Sequence, residues 1–65
     1  MIGENTEIGD NTIIERSTIG KECKIGKGVN IVNSIIWSGV VIEDGVSITN
    51  SIICDKVLIK KGAKI

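Results

Sequence analysis

The side chains that could carry out chemistry are few and scattered. The chain has 65 residues, with two cysteines, Cys23 and Cys54, and no histidine. Three serines, Ser17, Ser34 and Ser51, recur at a constant spacing. A serine or cysteine nucleophile needs a neighbouring base, most often a histidine, or another group that activates it. The residue types therefore predict no catalytic site.

No cofactor or metal site is predicted either. Cys23 and Cys54 lack the spacing of a zinc site, and the acidic residues are dispersed. The run at residues 25–28 is glycine-rich and basic, but it has neither the spacing of a phosphate loop nor a following helix. We interpret its glycines as corner residues. We expect Cys23 to be a small core residue and Cys54 to point outward.

The sequence is dominated instead by a repeat of isoleucine. Twelve of the fifteen isoleucines follow one another in steps of six, six and five positions, and this pattern then starts again, which gives a 17-residue period. A smaller side chain lies two residues before each of them from Ile8 onwards, also with that period. These ladder isoleucines are Ile2, Ile8, Ile14, Ile19, Ile25, Ile31, Ile36, Ile42, Ile48, Ile53, Ile59 and Ile65.

This spacing predicts a parallel stack of strands. A six-residue spacing does not follow one face of a 3.6-residue helix, whereas residues i and i−2 share one face of a strand. Only parallel stacking brings identical positions of a fixed repeat into register, with coils about 4.8 Å apart. We therefore predict one all-β domain over residues 1–65, a parallel β-helix of three full coils, 2–18, 19–35 and 36–52, and most of a fourth, 53–65.

Two corners of each coil can be placed in advance. Residues that tolerate positive φ occupy one column, which is Asn11, Gly28, Gly45 and Gly62. The column at the other six-residue corner is less regular, with Asn5, Glu22, Gly39 and Lys56. The first column predicts a sharp turn, and the second gives a weaker indication.

Composition limits the classes of partner and the cellular location. Eight basic residues balance eight acidic ones, which argues against binding to nucleic acid or to a membrane surface. The chain has no apolar run of about 20 residues and no secretory signal pattern. We expect a cytoplasmic protein, and at this length a fragment of a larger chain or a piece that assembles.

Outward apolar residues in the C-terminal half form the candidate site. Strand alternation turns Ile35 and Trp37 outward on either side of Ile36, and Ile52 and Cys54 outward one coil later. Val41 and Leu58 make a smaller pair on the adjoining face. Exposed β-branched residues are common in strands, but a tryptophan beside isoleucine on a flat face is typical of a protein interface. The predicted partner is another subunit or a neighbouring domain, with self-association as a further option.

The segments at residues 2–6, 8–12, 19–23 and 25–29, each beginning Ile-Gly, resemble the bacterial transferase hexapeptide family. That resemblance implies a left-handed parallel β-helix. Residues 34–40 and 51–55, with a Trp followed one coil later by Cys-Asp, resemble the β-helix of the epsilon subunit of eukaryotic initiation factor two-B. The segment at residues 16–20 is similar to the gamma subunit as well.

The finer resemblance implies a non-catalytic assembly module of a guanine-nucleotide exchange factor for translation initiation. The alternatives are the C-terminal β-helix of a sugar-phosphate nucleotidyltransferase, whose catalytic domain would precede it, and a designed or consensus stack. An ice-binding β-helix would need regular Thr-X-Thr rows, which this sequence lacks. Acyltransferases and carbonic anhydrases of the superfamily use histidine, so neither activity is expected.

Overall fold

Ten short strands form three parallel sheets. The computed structural model describes residues 2–65, which contain no helix and hence none long and apolar enough to cross a membrane. The strands are β1 Glu7–Ile8, β2 Ile13–Glu15, β3 Thr18–Ile19, β4 Lys24–Ile25, β5 Asn30–Val32, β6 Ile35–Ile36, β7 Val41–Ile42, β8 Ser47–Thr49, β9 Ile52–Ile53 and β10 Leu58–Ile59. The sheet orders are β1-β4-β7-β10, β2-β5-β8 and β3-β6-β9.

The strands pair in the predicted register. Ile8 is the partner of Ile25, Ile25 of Ile42, and Ile42 of Ile59, so paired residues are one repeat apart. All strand pairs are parallel, and isolated bridges join Ile2 to Ile19 and Ser47 to Lys64. This arrangement confirms the all-β parallel β-helix. The paired strands amount to about three coils, close to the four that we predicted.

Each coil turns at residues with positive φ. The column of Asn11, Gly28, Gly45 and Gly62 has this conformation, as predicted, and so does the less regular column of Asn5, Glu22, Gly39 and Lys56. A third column, Arg16, Asn33 and Asn50, was not predicted. All three corners therefore contain a residue in the left-handed conformation, which non-glycine residues adopt at an energetic cost.

Glu22 offers a test of that cost. Its φ is 59°, and asparagine adopts this region more readily than glutamate does. We expect Glu22→Asn to raise the free energy of unfolding by roughly 0.5–1 kcal/mol, measured by urea denaturation. Lys21→Asn, one residue earlier and outside the left-handed region, is the control and should leave stability within about 0.5 kcal/mol. Equal effects at both positions would contradict the assignment of strain to Glu22.

Aliphatic side chains from all three sheets fill the interior. Eight of the twelve ladder isoleucines are buried, and Cys23, Val29, Val40 and Val46 from the smaller columns lie between them. Ile14, Val57 and Ala63 pack against this core in partly buried positions. Ile2, Ile8 and Ile65 are 49%, 37% and 48% exposed, because they lie in the first and last of the described coils, where only one neighbouring coil covers them. The predicted inward ladder is therefore complete only in the middle of the stack.

Candidate protein interface

The outward surface of sheet β3-β6-β9 carries four apolar side chains in its C-terminal half. Ile35 and Ile52 are paired residues of β6 and β9, and Trp37 and Cys54 follow these strands. The side chains of Ile35, Trp37 and Ile52 are 45%, 51% and 65% exposed, and Cys54 is exposed. We call these four residues the Trp37 face. The structure places all of them outward, on one sheet and in adjacent coils.

Val41 and Leu58 lie on the adjoining sheet. They are paired residues of β7 and β10 and are 38% and 53% exposed. In the third coil, the corner between the two sheets is formed by Ser38 and Gly39, which carry no charge. No charged residue of the third coil therefore lies between Trp37 and Val41 along the chain, although the Lys56 side chain of the next coil lies against Gly39.

The described outward residues in the N-terminal half of sheet β3-β6-β9 are small by comparison. The outward column that contains Trp37 and Cys54 begins with Gly3 and Gly20, and Thr18 precedes Ile35 in the neighbouring column. A Cβ added at Gly20 would lie 2.7 Å from the carbonyl carbon of Trp37, and one at Gly3 would lie 2.6 Å from the backbone nitrogen of Lys21. Neither position can gain a side chain unless the coils move apart. Among residues 2–65, the outward positions of this sheet are therefore small in the N-terminal half and apolar in the C-terminal half.

Ile13 is an exposed apolar residue that the sequence analysis did not single out. It lies on β2, pairs with Asn30 and is 51% exposed. Alternation from the inward Ile14 was the signal that could have identified it. Its neighbours in the outward column, Asn30 and Ser47, are polar, and it lies on a different sheet from the Trp37 face.

The two cysteines occupy different environments, as predicted. Cys23 is fully buried, and its Sγ–H donates to the backbone oxygen of Trp37 at 3.0 Å. The equivalent bond one coil earlier runs from the Thr6 hydroxyl to the Gly20 oxygen at 2.7 Å. Cys23 is therefore a core residue that also ties the second coil to the backbone beneath the Trp37 face.

The serine column holds coils together. The Ser17 hydroxyl accepts the N–H of Ser34 at 3.1 Å, and the Ser34 hydroxyl accepts the N–H of Ser51 at 3.2 Å. The Ser34 hydroxyl also donates to the oxygen of Val32 at 2.9 Å. These bonds to backbone groups give the serines a structural role, as local side-chain bonding predicts.

The glycine-rich run at residues 25–28 belongs to the same bonding network. The N–H of Gly26 donates to the backbone oxygen of Ile42 at 2.8 Å, and that of Gly28 donates to the backbone oxygen of Asp10 at 3.0 Å. The N–H of Lys27 donates to Asp44 Oδ1 at 2.9 Å. These three amides are engaged within the coils, and Gly28 has the positive φ of a corner. The corner interpretation is confirmed for Gly28, whereas Gly26 is not among the residues with positive φ.

A shallow, open depression over Gly26 is bordered by charged side chains, among them Lys24, Glu43, Asp44 and Lys61. Its carboxylates already accept backbone hydrogen bonds, since Glu43 Oε1 accepts the N–H of Lys61 at 2.9 Å. Within residues 2–65, no group of three histidine, cysteine, aspartate or glutamate side chains could hold a metal ion.

A three-sided stack of parallel strands with a 17-residue repeat and minimal corners defines a hexapeptide-repeat β-helix. Within this class, the family model of the EIF2B subunit epsilon LbH domain, a left-handed β-helix, matches residues 1–65. The chain belongs to this family, which confirms the resemblance to the epsilon subunit. No curated protein matches the chain.

Proposed function

We propose that this domain is a non-catalytic assembly module of a guanine-nucleotide exchange factor for translation initiation, working in the cytoplasm. The match to the epsilon-subunit domain family supports the exchange-factor assignment. The observation that carries the assembly role is the Trp37 face, where the register of β6 and β9 brings exposed apolar side chains together. The family match favours this assignment over the nucleotidyltransferase alternative.

The energetics of the Trp37 face suit a contact with another protein. Tryptophan is enriched among interface residues whose truncation costs about 2 kcal/mol or more. About half of the Trp37 side chain remains accessible, so a partner would remove substantial apolar area from water. Ile35 and Ile52 flank it and would exclude water from the contact.

We expect Trp37→Ala to weaken binding of this chain to the other exchange-factor subunits by about 30-fold, which corresponds to about 2 kcal/mol. The measurement is the dissociation constant of purified chain titrated into a reconstituted assembly of those subunits. Ile13→Ala is the matched control, because Ile13 is equally exposed but lies on another sheet.

Two results would contradict the proposal. Unchanged binding by a folded Trp37→Ala variant would remove the Trp37 face from assembly. Acceleration of GDP release from initiation factor two by the chain alone would contradict the non-catalytic role.

A further inference from the structure

We infer that Thr6 and Thr12 form a hydroxyl clasp that fastens the first coil, residues 2–18, to the second. Each threonine begins an inward column whose later members carry no hydroxyl group. The later members are Cys23, Val40 and Val57 in the first column, and Val29, Val46 and Ala63 in the second. The inference goes beyond the proposed function, because it concerns how the stack holds together and does not involve the Trp37 face.

The two hydroxyls of the clasp make equivalent contacts with the second coil. Thr6 Oγ1 donates to the backbone oxygen of Gly20, and Thr12 Oγ1 donates to that of Gly26, each at 2.7 Å. Each hydroxyl oxygen also accepts a backbone N–H from the residue one repeat later, at 3.4 Å. Each threonine side chain is therefore bonded to the backbone of the second coil as both donor and acceptor.

The first coil gains less from apolar burial than the last coil does. The ladder isoleucines Ile2 and Ile8 are 49% and 37% exposed, whereas Ile53 and Ile59 of the last coil are 8% and 6% exposed. Burial of isoleucine thus contributes less to holding the first coil in place. Partly buried hydrogen bonds contribute the remainder, since they stabilise a contact without requiring apolar area.

The repeat itself supplies a competing expectation. Valine occupies the clasp columns in later coils, and replacement of an atypical residue by the consensus of its repeat commonly stabilises a protein. Thr6→Val and Thr12→Val should therefore stabilise the first coil if only the repeat pattern matters. The clasp predicts the opposite, because both substitutions remove a hydroxyl donor from a backbone oxygen of the second coil.

Hydrogen exchange of backbone amides, followed by NMR, distinguishes these expectations in the Thr6→Val/Thr12→Val double variant. The reporters are corner amides that donate to the preceding coil. They belong to Glu22 and Gly28 in the second coil, and to Gly39 and Gly45 in the third. The second-coil amides should exchange about tenfold faster than in the wild type. The third-coil amides should change by less than about twofold, because the opening is local.

Two further variants separate the hydroxyl bonds from other effects of the substitutions. The Thr6→Ser/Thr12→Ser variant keeps both hydroxyls, and its second-coil amides should exchange more slowly than those of the valine variant. Thr18→Val makes the same chemical change at an exposed position of β3 and should leave all four reporter amides unchanged. Unchanged or slower exchange of Glu22 and Gly28 in the valine variant would overturn the clasp, and so would equal acceleration of all four amides.

Discussion

Ile36→Ala should destabilise the domain by about 2–5 kcal/mol. Ile36 is 1% exposed, and it is paired with Ile19 below and Ile53 above. Truncation would leave a cavity between three coils whose backbones are tied to one another, so collapse around it would be limited. A domain of 65 residues has about 3–10 kcal/mol of total stability, and the loss would unfold a substantial fraction of the molecules at moderate temperature. Urea denaturation followed by far-UV circular dichroism measures it.

Ile35→Ala is the matched control for this change. Ile35 precedes Ile36 in the same strand, β6, but its side chain is 45% exposed and points away from the core. The same chemical deletion should cost less than about 1 kcal/mol there. Equal losses at the two adjacent positions would show that the inward and outward sides of β6 are wrongly assigned.

Val46→Asp should prevent folding at neutral pH. Val46 is fully buried between the ladder isoleucines Ile42 and Ile48, and none of the buried residues that the structure describes carries a positive charge. An unpaired buried carboxylate costs at least several kcal/mol, and this cost is comparable with the whole stability of the domain. The measurement is the circular dichroism spectrum at pH 7, which should show an unfolded chain.

Ser47→Asp provides the comparison for the buried charge. Ser47 is the next residue along, and its side chain is only partly buried on the outward surface of β8. The new carboxylate would lie near Lys64, which forms a bridge with Ser47, and we expect a change within about 0.5 kcal/mol. A folded Val46→Asp variant with a stability close to that of Ser47→Asp would contradict the core that we describe.

The isoleucine spacing was sufficient to predict the sheets and their register. A 17-residue period with steps of six, six and five has one parallel solution, because each step returns an isoleucine to the inside of the next side. The corners were harder to predict. Glycine and asparagine identified one column clearly and a second weakly, and the asparagines of the third column were a signal that the prediction did not use. Glu22, Lys56 and Arg16 adopt positive φ although their residue types do not favour it.

Exposure of the Trp37 face followed from alternation alone, since Ile35 and Trp37 flank an inward isoleucine. The contrast with the N-terminal half followed from the same alternation, because the register that turns Ile35 and Trp37 outward puts Gly3, Thr18 and Gly20 at the equivalent positions. The close approach of successive backbones at Gly3 and Gly20 did not follow from the sequence. The partner's identity lies outside the sequence pattern, because exposed apolar area is not specific for what covers it.

The 17-residue register also limits how this protein can change in length. Each strand is bonded only to the equivalent strands of the preceding and following coils, so removing or duplicating one whole coil leaves every remaining column aligned. Insertion or deletion of one residue inside a strand would instead turn the inward isoleucine that follows it in that strand to the outward surface. We therefore expect related chains to differ in length by whole 17-residue coils, or by loops inserted at a corner.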